Sequence, residues 1–415
     1  MTRERIVDDA QNLFSRGQQA LSTGDFHEAV ECFSRAIKLR PDISAGYRYR
    51  AYSYLELGDR VRALNDLDQA IRLKPDDVQL YADRAAQLLA QKAFDLAIAD
   101  CTRALELDPG RADLFGLRGR CHTFRGDSTS AFADLAQAIA GDPDNAAGYL
   151  LYRGELNLEC ENFAAAEADA SQAIALDAEF AEAYRLRGAV RQLSNDSANA
   201  IADFTEAIRL QPKLAIAYLG RAICRFALKD YRAAVADADA AIALSPGILR
   251  CHELRGAALQ QLGQLDEALA GFNEAVKLAP QAVMPYNYRA GVHYVRRDYA
   301  AAIADHMEAL KRDPRHAGTF NQLAWLWATC PDPDIRNGER AKECAQRACE
   351  LNEWSDPGFL DTLAAANAEC GEFDAAIQWQ EKAIALAGDS PRLGDFESRL
   401  ELYRDRKPYR AEAGS

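Results

Sequence analysis

The chain has 415 residues, 49% of them hydrophobic, and a formal net charge of −14. A hydrophobic share of that size can bury a continuous core and excludes a largely disordered chain. The acidic balance argues against nucleic acid or an anionic membrane surface as a partner, and leaves protein partners, basic ones first.

The opening stretch from Met1 to Asp9 lacks the apolar core of a secretory signal. No run approaches the roughly 20 apolar residues of a membrane span. The ten cysteines are scattered, with no C-x-x-C pair, which suits a reducing compartment. A cytoplasmic location is the expectation.

From residue 10 onward the sequence repeats. Prolines stand at Pro41, Pro75, Pro109 and Pro143, then at Pro212, Pro246, Pro280 and Pro314, in steps of 34, with Ala178 in the missing place. An alanine column runs from Ala29, Ala63 and Ala97 to Ala341 and Ala376, and a second lies seven residues further on, from Ala36 to Ala383. Small residues form a third column: Gly17, Ala51, Ala85, Gly119, Gly154, Gly188, Ala222, Gly256, Ala290, Ala324 and Ala364. The columns divide the chain into eleven units: 10–43, 44–77, 78–111, 112–145, 146–180, 181–214, 215–248, 249–282, 283–316, 317–355 and 356–390. The tenth holds a five-residue insertion, because Ala302 to Ala341 spans 39 residues.

Each unit reads as two helices. Tyr47, Arg50, Ala51 and Tyr54 recur at i, i+3, i+4 and i+7 on one helical face. Gly58-Asp59 breaks that helix and caps the next, which carries Ala63, Leu67 and Ala70 and stops at Pro75. Helices of about 12–15 residues do not persist alone in water, so successive pairs must stack to bury a core.

These residues resemble the tetratricopeptide repeat: aromatic, small and aromatic on the first helix, then Ala, aromatic, Ala and Pro on the second. "AYSYLELGDRVRALNDLDQAIRLKP" carries the pattern. The resemblance covers roughly residues 10–390. It implies an all-α fold, a right-handed α-solenoid whose first helices line the concave wall.

An arginine column departs from the family pattern, where leucine is common: Arg16, Arg50, Arg84, Arg118, Arg153, Arg187, Arg221, Arg255 and Arg289. Seven of those units carry a matching acid on the second helix: Asp66, Asp100, Asp134, Asp169, Asp203, Asp237 and Asp305. Cys32 and Gly271 stand in that place in the units of Arg16 and Arg255. Both columns lie on apolar stripes, so partly buried ion pairs across the helix pair are expected. The other reading is a basic ladder for acidic ligands.

In the tenth unit Ala328–Arg340, with two prolines and Asn337-Gly338, excludes a regular helix. It reads as a tolerated insertion or as a partner contact. This stretch, "DTLAAANAECGEFDAA" and "RLELYRDRKPYR" resemble the ends of bacterial tetratricopeptide proteins. Leu393, Phe396, Leu400 and Tyr403 mark a capping helix over 391–410 that Pro408 stops, followed by a loose tail at Ala411–Ser415.

No metal or catalytic motif appears. His252, His293 and His306 take places that other units fill with Tyr, Phe or Leu, and read as packed core. No enzymatic activity and no cofactor are expected.

The strongest binding signal is excess apolar surface on a first helix. Besides the repeat stripe of Tyr218, Arg221, Ala222 and Arg225, residues Ile216, Leu219, Ile223 and Phe226 form a second stripe about 100–150° away. Tyr49 and Tyr52, Leu151 and Leu158, and Met284, Tyr288 and Tyr294 occupy similar sectors. These residues either meet a partner peptide or helix in the groove or pack against neighbouring first helices. The Lys and Asn clamp of relatives that grip chaperone C-termini is absent: Phe14, Gln18, Tyr49, Gln79 and Asp83 stand in its places. The asparagine ladder of sugar-transferase relatives does not recur. The expected function is a protein-interaction scaffold, with a self-assembling array or an RNA-binding repeat as the alternatives.

Overall fold

A computed structural model describes residues 3–411. Beyond Ala411, the expected loose tail lies outside the described residues. The chain divides into two compact units, one ending at Leu210 and one beginning at Gln211.

The first unit is six helix pairs: α1 (Arg3–Thr23) with α2 (Phe26–Leu39), α3 (Ser44–Glu56) with α4 (Arg60–Leu73), α5 (Val78–Ala90) with α6 (Phe94–Leu107), α7 (Ala112–Arg125) with α8 (Ser128–Gly141), α9 (Ala146–Glu159) with α10 (Phe163–Leu176), and α11 (Ala181–Leu193) with α12 (Ser197–Leu210). The second is five pairs: α13 (Ala215–Ala227) with α14 (Tyr231–Leu244), α15 (Leu249–Gln261) with α16 (Leu265–Leu278), α17 (Met284–Val295) with α18 (Tyr299–Arg312), α19 (Ala317–Thr329) with α20 (Gly338–Leu351), and α21 (Pro357–Glu369) with α22 (Phe373–Ala387). A last helix, α23 (Leu393–Arg404), closes it. Within each unit the second helix of one pair packs on the first helix of the next. The fold is an all-α solenoid, and no described helix is long and apolar enough to cross a membrane.

Alanine in the two columns lets helix backbones approach closely. Ala29, Ala63, Ala97, Ala131, Ala166 and their counterparts to Ala376 are 0% exposed. At Gly17, Gly188 and Gly256 the third column makes room for an aromatic ring on the second helix. A Cβ at Gly17 would sit 2.7 Å from the Phe33 ring, and one at Gly256 would sit 2.8 Å from Phe272. Where the first helix carries alanine, at Ala51 and Ala85, the second helix answers with the smaller Leu67 and Cys101.

The turn between paired helices needs one residue with positive φ. Gly24, Gly58, Gly126, Gly263 and Gly371 supply it without strain. Lys92, Glu161, Asn195, Lys229 and Arg297 adopt the same conformation at φ 61–63°. The stacked helices hold these side-chain-bearing residues there at a cost of about 1–2 kcal/mol each.

The charge columns meet. Arg50 donates through Nε and Nη2 to both oxygens of Asp66 at 2.7 Å. The same fork joins Arg84 to Asp100, Arg118 to Asp134, Arg153 to Asp169, Arg187 to Asp203, Arg221 to Asp237 and Arg289 to Asp305, at 2.6–3.0 Å. All seven aspartates are buried, at 4–6% exposure. Each arginine is therefore committed inside the solenoid, which removes the reading of these seven as a basic ladder.

The sequence did not announce what the remaining guanidinium nitrogen does. Arg50 Nη1 reaches back to Ser34, Arg84 Nη1 to Asp68, Arg118 Nη1 to Thr102 and Arg289 Nη1 to Asn273, at 2.6–3.1 Å. The contact lies 16 residues upstream, on the second helix of the preceding pair. One arginine thus ties three helices together.

The insertion departs from its expected extent. Ala328 and Thr329 finish α19 and Gly338 starts α20, so only Cys330–Asn337 is irregular. Arg336 binds that segment to itself, donating through Nη1 to the carbonyls of Cys330 and Pro331 at 2.8 and 3.1 Å. Its Nε reaches Glu369 on α21 at 3.2 Å.

At the C-terminal end Phe396, Leu400 and Tyr403 are buried, with Tyr403 packed among Ala364, Ala368 and Ala376. Helix α23 ends four residues before Pro408, in a turn with Arg406 at φ 56°. The chain then folds back. Arg410 pairs with Glu369 at 2.6 Å, and the Ala411 amide donates to the Thr329 carbonyl at 2.9 Å. Ala411 is buried, contrary to the loose tail expected from that position.

Candidate functional site

The first helices carry the groups singled out from the sequence, and their fates differ. On α13 Ile216 is 48% exposed, while Leu219, Ile223 and Phe226 are half-buried and the Phe226 ring meets Tyr231 edge-on. Met284 is exposed at the start of α17. Leu151 is buried among Ala166, Ala170, Leu186 and Val190, with Leu158 against the same cluster, so the Leu151 side chain is spent within the first unit. Tyr49 stacks on Phe33, with Phe14 edge-on to both rings. Tyr288 stacks on Phe272.

Tyr52 is also engaged. Its hydroxyl donates to Asp83 at 2.6 Å, and Arg48 bridges the same carboxylate at 2.7 Å. Burial and the Asp83 charge push the Tyr52 phenol up to about 12. Tyr49, Tyr52 and Tyr288 are therefore spent inside the helix stack, each against a residue of an adjacent pair: Phe33, Asp83 and Phe272.

Tyr294 is different. It lines a cavity of about 290 Å³ in the second unit, bounded by three successive first helices, α17, α19 and α21. Burial pushes its phenol up to about 12. Trp325 supplies a second aromatic wall, and Asn287, Asn321, Gln322 and Thr362 supply polar groups. Arg392 stands at the rim, exposed.

The polar wall is ordered by one chain of hydrogen bonds. His316 Nδ1 accepts from the Thr319 amide at 3.1 Å, so the Thr319 hydroxyl donates to that nitrogen. Asn287 Nδ2 donates to Thr319 Oγ1 at 2.7 Å, which leaves Asn287 Oδ1 to accept from His306 Nδ1 at 2.9 Å. Beside this chain, Asn321 Oδ1 is buried with no hydrogen-bond partner. An unsatisfied amide oxygen at a cavity wall is a group in need of a donor.

Sequence reasoning missed most of this wall. Asn287 and Asn321 stand 34 residues apart, in one register of neighbouring first helices. This register holds asparagine in these two units only, with Leu219 and Leu151 among its other occupants. The signal was the 34-residue step itself.

Sequence models of the tetratricopeptide repeat match residues 10–43, 50–112, 194–247 and 254–317, together just over half of the chain. The chain belongs to the tetratricopeptide repeat family. Proteins of this family serve generally as protein-interaction scaffolds. No curated protein matches the sequence significantly. Among solved structures, yeast Tom70 is similar over 96% of both chains at 17% identity and a TM-score of 0.44. A tetratricopeptide repeat protein from Parabacteroides merdae is similar over 71% of this chain and 98% of its own, at 14% identity and a TM-score of 0.45. YrrB, a tetratricopeptide protein with an unusual peptide-binding site, is similar over 45% of this chain and 96% of its own, at 19% identity and a TM-score of 0.41.

Within this tetratricopeptide array His306 is buried, as its place in the repeat suggested. Desolvation lowers its imidazole to about 4 against the opposing pull of Asp305. The neutral ring donates through Nδ1 to Asn287, and its protonation would turn the hydrogen-bond chain into a buried cation. The unfolded chain takes this proton near the ordinary value of 6.5, so between the two values the unfolded state binds more protons. The histidine's contribution to stability is full above pH 6.5 and is lost as pH falls towards 4. Unfolding measured between pH 7 and 5 should show this slope, and His306→Gln should flatten it. An unchanged slope in the variant would contradict the assignment. Among the described residues, no group of three His, Cys, Asp or Glu side chains converges as a metal site.

Proposed function

We propose that the chain is a non-enzymatic scaffold that holds a protein partner, as an extended peptide or a helix, against its first-helix wall. In this reading each of the eleven units presents one first helix, and the cavity between α17, α19 and α21 is the main seat. The observation that carries it is the Asn321 Oδ1 without a donor, on a residue that lines one cavity with the exposed Gln322, Tyr294 and Trp325. Carboxamides match both the N–H and the C=O of a peptide group, and flanking rings match apolar side chains. Ile216 and its half-buried neighbours Leu219, Ile223 and Phe226 supply a second contact along the same kind of face.

The test is a crosslinked pull-down from native lysate. It compares the parent with Asn321→Ala/Gln322→Ala and with Leu219→Glu/Ile223→Glu/Phe226→Glu, each of verified helicity. The account expects a partner polypeptide with the parent and its loss, by at least about tenfold, with the amide variant. Retention of the same partner by both variants would move binding off this wall, and recovery of the chain alone would favour self-assembly.

A further inference from the structure

The Arg–Asp column is interrupted once inside the second unit, and the interruption leaves a cationic fork unused. In the α15–α16 pair the place of the aspartate is taken by Gly271. Arg255 has no acid across its own pair, and its Nε turns back to Asp239 on α14, at 2.6 Å. Its two terminal nitrogens have no hydrogen-bond partner among the described residues, although the side chain is only 26% exposed. The neighbouring Arg289 spends all three nitrogens on Asp305 and Asn273. A cavity of about 610 Å³ opens at this place; Asp239, Arg255, Asn273, Arg289 and the paired Glu274 and Lys277 are among its lining residues.

We infer that this opening is a carboxylate-binding site, in which Arg255 takes from outside the chain the acid that Gly271 does not supply. The donors left are the end-on fork of Nη1 and Nη2, since Nε, which the seven intact pairs use together with Nη2, is held by Asp239; two N–H groups of one plane still match the two oxygens of a carboxylate. The guanidinium is partly shielded from water, so a carboxylate is worth more to it than to a fully exposed one. The carboxylate can come free in solution or on an acidic side chain of a polypeptide, and both present the same group to Arg255. This inference goes beyond the groove reading and does not depend on it, since α14, α15 and α16 contribute nothing to the α17–α19–α21 cavity.

The probe is the full chain titrated with sodium succinate against sodium chloride at equal ionic strength, with thermal unfolding as the readout. A labelled hexaglutamate peptide, followed by fluorescence anisotropy, forms a separate arm. Two variants accompany the parent. Arg255→Gln removes the fork. Gly271→Asp supplies the acid from within: a Cβ there lies 3.3 Å from the His252 carbonyl and 3.4 Å from the Gly256 backbone. Those contacts are tighter than an ordinary Cβ contact, so the facing α15 backbone must give by a few tenths of an ångström. The expected result is a rise in Tm of about 2 °C or more with succinate beyond that with chloride, or saturable binding of hexaglutamate. Either effect should vanish in both variants, with Gly271→Asp melting higher than the parent before any anion is added. Succinate alone would identify a free carboxylate as the ligand, and hexaglutamate alone an acidic polypeptide. If Gly271→Asp does not fold, Arg255→Gln decides. No effect beyond chloride in either arm, or an equal effect in Arg255→Gln, overturns the inference.

Discussion

Asp203→Ala is expected to destabilise the α11–α12 pair by about 3 kcal/mol, the low end of what breaking a buried ion pair costs. Asp203 is 4% exposed and accepts from Arg187 Nε and Nη2 at 3.0 and 2.7 Å, and from Arg191 Nη1 at 2.8 Å. Its removal leaves two guanidinium groups facing an apolar gap. Arg191 keeps Glu167 at 2.8 Å, and Arg187 keeps some exposure, which holds the loss to the low end of that range. A repeat array does not unfold as one step, so the loss should be read locally. Hydrogen exchange of the α11 and α12 amides should accelerate by about two orders of magnitude, with a smaller change in α3 and α4. Uniform or absent acceleration would mean that the pairs contribute little to holding the helices together. Asp203→Asn, which keeps the shape and part of the hydrogen bonding, should fall between.

Arg399→Met is expected to cost about 3–5 kcal/mol at neutral pH, for the opposite reason: it strands an anion. Asp361 is 0% exposed, and its Oδ1 accepts from Arg399 Nε at 2.7 Å and Gln380 Nε2 at 2.8 Å. The guanidinium also lies over the rings of Trp325, Phe396 and Tyr409, so it joins α19, α21, α23 and the returning chain end. Burial raises Asp361 above the ordinary carboxylate range, and Arg399 is the main opposing influence. Without Arg399 the shift grows. A carboxyl whose folded pKa is raised stabilises the fold in acid and loses that contribution as pH rises through the folded value. The deficit of Arg399→Met should therefore be largest at pH 7 and shrink at pH 5. Asp361→Leu added to Arg399→Met should recover much of it. A deficit that is constant or larger at pH 5 would contradict this account of the pair.

The helix pairs were legible because their signals are local and repeat. A buried alanine recurs in each unit, in most cases 34 residues after the last, and a turn follows the first helix. The Arg–Asp pairs were legible because two columns changed together, and Leu323 and Leu363 appear where the acid is missing. The backward reach of the same arginines lies across a unit boundary, where a reading unit by unit does not look. That reach also explains why Arg255 finds Asp239. Arg16 is likewise not left alone, since it meets Glu28 at 2.8 Å on the surface.

The groove was harder to read. Tyr49, Tyr52 and Tyr288 share its sector with Tyr294, and periodicity alone cannot tell a ring that stacks on a neighbour from one that faces a cavity. The difference lies in the opposing residue, Phe33, Asp83 or Phe272 in the first three cases. The tie between Arg336 of the Cys330–Asn337 segment and Glu369 was not legible, because the two residues are distant in sequence.

Site-specific photocrosslinking tests the scaffold reading most directly. A photoreactive side chain would replace Gln322, which is exposed at the cavity wall, and in a parallel sample Arg347, which is exposed on the second helix α20. The account predicts a crosslinked partner polypeptide from position 322 and none from position 347. A partner captured at 347 but not at 322, or only a second copy of the chain at 322, would contradict it.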